Sequence, residues 1–234
     1  MFDLHKIENN LLLTKEDIAN MIHNEVIREA NSKLSWSKKS TINAGDLTGC
    51  VKALYFKLKG VTPSNPPTYQ YSPIVLNIGT TIHSIIERLV SPGETEIPIR
   101  CDYMGFKLNM RADAIYNMRV LHEYKTVDSV TDETLCKKEH LIQSSIYAYL
   151  LNTKMNRDLS HIQIIYIARG KVNIKVFNIK IDNNLMTKVK TRLDDQLGYL
   201  KTCLDTNNIP SFESKYCECN PFCEYREFCK SLSS

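Results

Sequence analysis

The succession of residue patterns along this 234-residue chain predicts an α/β (α+β) fold, a mixed central sheet flanked by helices. Three observations predict it. Runs rich in β-branched and aromatic residues recur between positions 96 and 127. A second pair of such runs occupies 161–168 and 172–181. Segments with apolar residues three and four apart precede, separate and follow these runs.

Taken in order, Thr14 followed by Asp17 reads as a helix cap, and Ile18, Met21, Ile22 and Val26 continue at helical spacing. A second helix is expected over 46–59, carrying Cys50 and ended by Gly60 and the Pro63–Pro67 stretch. A third, over 74–90, carries His83 and Glu87. Consecutive antiparallel strands are expected at 96–102, 106–116 and 119–127, with turns at 102–105 and 117–118. A helix over 136–151 separates them from a hairpin, 161–168 and 172–181, that turns at 169–171. A long helix over 184–205 leads into a cysteine-rich tail. Two units are expected: an extension over 1–40 and a main domain over 41–234.

Composition is that of a globular chain, 43% hydrophobic and 24% charged. A net charge of +4 and a pI near 8.5 permit nucleic-acid binding without requiring it. No apolar run approaches the ~18 residues of a membrane span. Asp3, His5, Lys6 and Glu8 make the first ten residues unlike a secretory signal. The expected location is cytoplasmic (host cytoplasm for a viral chain). Thiols stay reduced there, so the eight cysteines argue for metal binding over disulfides. Four of them, Cys217, Cys219, Cys223 and Cys229, crowd the last eighteen residues, and such soft sulfur sets suit zinc or iron–sulfur centres.

A second constellation lies in the strands. Asp113 falls late in one, Glu123 and Lys125 in the next. Side chains alternate along a strand, so Glu123 and Lys125 share a face. Two carboxylates on adjacent strands can share Mn²⁺ or Mg²⁺, and a lysine beside them can assist a water or neutralise charge on a phosphate. On the helices, His83 lies four residues before Glu87, and Gln143 four before Tyr147. No phosphate-binding glycine loop with a following lysine is present, so unwinding by ATP would fall to a partner.

The order His83, Asp113, Glu123-x-Lys125, Gln143-x-x-x-Tyr147, with Cys50 upstream and the cysteine group downstream, resembles the RecB-like branch of the PD-(D/E)XK nucleases that carry an iron–sulfur cluster. In particular it resembles the fourth CRISPR-associated (Cas) exonuclease family and its phage and viral relatives. The match runs from about Asp46 to Cys229. The resemblance implies a restriction-endonuclease-like core with a helical and C-terminal part stapled by the cluster. It implies that His83, Asp113, Glu123 and the carbonyl of Tyr124 bind Mn²⁺ or Mg²⁺. Lys125 would be the catalytic lysine, with Gln143 and Tyr147 supporting the site. Cys50, Cys219, Cys223 and Cys229 would hold a structural [4Fe–4S] cluster. The implied activity is exonucleolytic hydrolysis of DNA from single-stranded ends, in replication, recombination or spacer acquisition. Implied partners are DNA and a helicase, recombination or CRISPR-adaptation protein, with a homo-oligomer compatible.

The tail departs from the family's C-x₂-C-x₅-C spacing. Cys223 and Cys229 keep the five-residue interval, but three residues separate Cys219 from Cys223 and five separate Cys217 from Cys223. Cys219 is the expected ligand because one extra residue is easily absorbed in a loop, with Cys217 the alternative and Zn²⁺ the alternative metal. Cys101, Cys136 and Cys203 are expected to be buried thiols. Lys52, Lys57, Lys59, Arg111 and Arg169 are the candidates to guide a strand inward. The competing functional class is a non-catalytic DNA-binding or assembly module, which would have no need of Asp113, Glu123 and Lys125 together.

Overall fold

The computed structural model describes residues 39–63, 81, 85, 93–169, 173–211 and 223–232. Within them five strands form one sheet in sequence order: β1 (Glu94–Tyr103), β2 (Phe106–Tyr116), β3 (Val120–Val127), β4 (His161–Ala168) and β5 (Ile174–Lys180). The helices are α1 (Ala44–Thr48), α2 (Val51–Lys59), α3 (Lys138–Lys154), α4 (Asn183–Asp205) and α5 (Arg226–Ser231). The α+β expectation stands: the sheet is mixed and helices flank it.

Two tight turns build the antiparallel half. Met104 (φ 52°) and Gly105 (φ 86°) join β1 to β2, and Asn117 (φ 48°) and Met118 (φ 56°) join β2 to β3. Consecutive positive φ values match the right-handed twist of the flanking strands. Pro98 lies in β1, an edge strand, where a missing amide is tolerated. β3 and β4 run parallel in full register from Val120–His161 to Val127–Ala168. Parallel neighbours require a crossover, and α3 supplies it. β5 returns antiparallel along β4.

Helix α3 is the centre of the molecule. Every residue from Ser144 to Leu151 is buried, because the helix is enclosed between the sheet on one side and α1 and α4 on the other. Ile146, Ala148, Leu150 and Leu151 are fully buried, as are Leu121, Ile162 and Ile164 of the sheet and Leu193, Leu197 and Leu200 of α4. Each such large aliphatic side chain contributes roughly 1.5–3 kcal/mol by leaving water.

The helix expected over 46–59 is instead two helices. Asn43 and Asp46 form a reciprocal capping box that starts α1, and Gly49 ends it in an extended conformation. Cys50 therefore lies at the break, as the N-cap of α2, and is not inside a helix. The six-residue α5 was not anticipated. It docks on α2: Phe56 meets the rings of Tyr225 and Phe228 at 5.4 and 5.0 Å. Tyr225 also donates its hydroxyl to the carbonyl of Val61 at 3.1 Å. The helices expected over 14–30 and 74–90 lie outside the described residues, apart from Thr81 and Ile85. No helix among the described residues is long and apolar enough to cross a membrane.

Candidate active site

The site forms where β2 and β3 part. Their ladder runs from Tyr116–Val120 through Ile115–Leu121 to Ala114–His122 and stops there. One step further the amide of Tyr124 donates to Asp113 Oδ2 at 2.7 Å, so a side chain takes the place of the next ladder carbonyl. The strand is irregular at this point. Leu108, Met110 and Ala112 face the main core, but beyond Asp113 it is Ile115 that does. Across the β1–β2 pair the position opposite Asp113 is Glu96, left out of the pairing and held at φ 54°. Ile115 and Leu121 are opposed and buried in the main core. Asp113 and Glu123, two residues from each, take the same face by alternation.

Glu123 is 1% exposed. Its Oε1 accepts from Lys125 Nζ at 2.7 Å, whereas its buried Oε2 has no hydrogen-bond partner among the described residues. Burial, and then the nearby charge of Asp113, push its carboxyl up to about 7 against the opposing pull of Lys125. Lys125 Nζ also donates to Gln143 Oε1 at 3.2 Å, and Gln143 Nε2 donates to Tyr147 Oη at 2.8 Å. Burial and the Glu123 charge hold the Tyr147 hydroxyl well above its ordinary range. A continuous chain of contacts thus joins Glu123, Lys125, Gln143 and Tyr147, with Asp113 at one end. His122, beside Glu123 in sequence, takes the opposite face, stacked on Tyr116 and bonded to Tyr124 Oη at 3.1 Å.

A buried Glu123 with an orphaned oxygen beside a half-buried Asp113 suits a hard divalent cation, which would satisfy Oε2 and relieve the repulsion between carboxylates. His83 lies outside the described residues. Among the described residues no three His, Cys, Asp or Glu side chains converge.

Two neighbours escaped the sequence reading. His140 stands three residues before Gln143 on α3, and Tyr166 lies opposite Lys125 in the β3–β4 register. The two side chains are bonded, Nδ1 to Oη, at 2.7 Å. The three-residue spacing to Gln143 was a signal for His140; nothing in the sequence links it to Tyr166.

At the other end of the chain, Cys50 and Cys223 lie close enough for charge on one to raise the other. Burial is the larger cause of the raised Cys223 thiol. Cys229 is buried on α5. Lys57 bridges Glu224 at 2.6 Å and Asp46 at 3.6 Å beside them. Cys50 and Cys223 are thus neighbours, and Cys229 follows on α5, but these three thiols do not by themselves converge as a metal-binding set among the described residues. Cys217 and Cys219 lie outside the described residues. Of the thiols expected to be buried, Cys203 is; Cys101 and Cys136 are half-buried.

The five basic residues expected to guide a strand do not form an open path. Lys52 is 4% exposed, and Lys57 is bound up at the cysteine end. Lys59 donates to Asn207. Arg111 and Arg169 are paired with Glu96 and Asp128. Lys57, Lys59, Arg111 and Arg169 each found a nearby carbonyl or carboxylate that charge counting could not foresee.

No protein-family model and no curated protein sequence matches the chain. Solved structures do. A candidate exonuclease from Eubacterium rectale is similar with a TM-score of 0.52 and 12% identity, over 90% of this chain and 92% of that one. An alkaline exonuclease from Laribacter hongkongensis is similar with a TM-score of 0.50 and 12% identity, over 73% and 92%. These likenesses show the fold, a mixed sheet flanked by helices, in keeping with a restriction-endonuclease-like core.

Proposed function

We propose that this chain is a metal-dependent deoxyribonuclease, an exonuclease that hydrolyses phosphodiester bonds from single-stranded DNA ends. The observation that carries the reading is Glu123, fully buried, bonded to Lys125 through one oxygen and unsatisfied at the other, with Asp113 on the adjoining strand. A purely structural acid would not be kept in that state, because an unsatisfied buried polar atom costs about 1–3 kcal/mol. The similarity to exonuclease structures supports the same reading.

Asp113 and Glu123 would hold the cation, with His83 and the carbonyl of Tyr124 completing the set. Bound there, Mn²⁺ or Mg²⁺ would supply an activated water and neutralise charge at the scissile phosphate. Asp113 is oriented by the Tyr124 amide. Lys125 is held between Glu123 and Gln143, where its ammonium can stabilise charge developing on a phosphate. Tyr147, at the far end, fixes the amide of Gln143. Cys50 with Cys219 (or Cys217), Cys223 and Cys229 would hold a structural [4Fe–4S] cluster, joining the start of the main domain, taken as 41–234, to its end. Residues 1–40, outside the resemblance, would dock a helicase, recombination or CRISPR-adaptation partner or pack on the rest of the chain.

The test is cleavage of end-labelled single- and double-stranded DNA with Mn²⁺ by anaerobically purified protein, beside Lys125→Ala. The wild type is expected to shorten single strands and the variant to leave them intact. A folded, metal-loaded wild type that cuts nothing, or a variant that cuts equally well, would move the protein to a binding or assembly role.

A further inference from the structure

The His140–Tyr166 pair belongs to no function assigned so far, yet it is built with care. Lys137 donates its amide hydrogen to Tyr166 Oη at 2.9 Å. The hydroxyl oxygen is therefore an acceptor on that side, and its own hydrogen is available to His140 Nδ1 at 2.7 Å. The sulfur of Cys136 also lies against the hydroxyl, but sulfur is a weak acceptor, and Cys136 Sγ directs its own hydrogen to the Lys137 carbonyl. Where the hydroxyl hydrogen goes to Nδ1, the imidazole carries its proton on Nε2. The ring is further fixed edge-on against Tyr166 at 5.4 Å, and Tyr166 edge-on against Phe177 at 5.1 Å.

The surroundings disfavour a second proton. Lys125 of β3 and Lys137 at the start of α3 face the ring with positive charge. Lys175 of β5 lies behind Phe177, and Glu139 is the carboxylate beside it. Burial is the largest cause, Lys125 the next, and together they hold His140 down at about 4. An imidazole that stays neutral throughout the working range and keeps its Nδ1 occupied is a donor through one nitrogen alone. It is half-buried on the helical face that carries Gln143 and Tyr147, beside Lys125.

We propose that His140 is a phosphate-contacting residue, a neutral Nε2–H donor to the DNA backbone at the mouth of the site, with Tyr166 as the positioning residue that sets its tautomer. This rests on the nuclease reading. It assigns recognition of a phosphodiester oxygen to a group that adds direction without adding charge, next to Lys125, which adds charge.

Two measurements test it. The first is the imidazole nitrogen and carbon resonances of selectively labelled protein. They are expected to show His140 as the Nε2–H tautomer with no titration down to about pH 5. In Tyr166→Phe, where Nδ1 loses its donor, the tautomers are expected to mix. The second is binding of single-stranded DNA in EDTA, where cleavage is off. His140→Ala is expected to bind roughly three- to tenfold more weakly, the loss of one neutral hydrogen bond. His140→Gln, whose amide can replace Nε2–H, is expected to recover most of that. The dependence of log K on log salt should keep its slope, whereas loss of a cation would reduce it by about 1. An Nδ1–H tautomer, wild-type binding by His140→Ala, or a reduced slope would each overturn the proposal while leaving the nuclease reading intact. A wild type that neither binds nor cuts DNA would overturn both.

Discussion

Glu123 shows how much a single side chain can be made to bear. Its folded-state carboxyl lies near 7 rather than 4.5, through burial first and Asp113 second. Between those values the folded protein keeps a proton that the unfolded chain has released. In the absence of a cation its contribution is therefore fully present below the unfolded value and is lost as pH rises through about 7. Glu123→Gln abolishes this titration. Thermal unfolding in EDTA is expected to show the variant gaining on the wild type as pH rises from about 5 to about 8. Parallel curves would mean that Glu123 is not the buried acid described here. Saturating Mn²⁺ should reverse the order, because a ligand bound only by the native state stabilises it.

Among the elements, the α2–α5 contact does the most to shape the cysteine end. Phe56 is 2% exposed and touches Tyr55, Tyr225 and Phe228. Phe56→Ala is expected to cost about 3–5 kcal/mol. Urea denaturation should show the loss, and hydrogen exchange should show the amides of α5 opening before those of the sheet. Uniform protection across both would contradict a docked α5. The break before α2 was not legible in the sequence. Leu47, Val51, Leu54 and Leu58 continue at four- and three-residue spacing straight through it, so the apolar stripe hides the interruption. What reveals the break is the Asn43–Asp46 capping box and the extended Gly49. Helix α5 was hidden for a different reason: six residues are too few to show a period.

At the scale of the whole molecule, the order of strands and helices was legible because each element repeats its own period, two or 3.6, over enough residues. That Glu123 shares a face with Lys125, and Gln143 one with Tyr147, was legible from alternation and helical spacing; that these residues would meet beside Asp113 was implied by the family resemblance alone. The His140–Tyr166 bond was not legible. It joins residues 26 apart through the β3–β4 register, and register is decided by packing. Cys50 at the start of α2 and Cys223 just before α5 are brought together although they are far apart in sequence, so the proposed metal centre would tie α2 to α5. Anaerobic protein is expected to hold about four iron and four sulfide per chain, both lost together with thermal stability in Cys50→Ser. Zinc in a colourless protein would select the four-thiolate alternative, and no metal at all would dismiss the centre.

The two turns of the antiparallel half have unlike fates. The side chain of Met104 reaches helix α4, its methyl 3.5 Å from where a Cβ on Gly198 would be, and Tyr103 beside it bonds Asp194 at 2.7 Å. That tip is moored to the long helix. The Asn117–Met118 tip stands in water, Met118 76% exposed. Extra chain spliced into the first would have to prise a strand pair off its support, while extra chain spliced into the second would simply trail outward. The second tip is thus where this scaffold can accept a foreign segment, a fluorophore or an affinity handle, without disturbing the carboxylates a few residues along each strand.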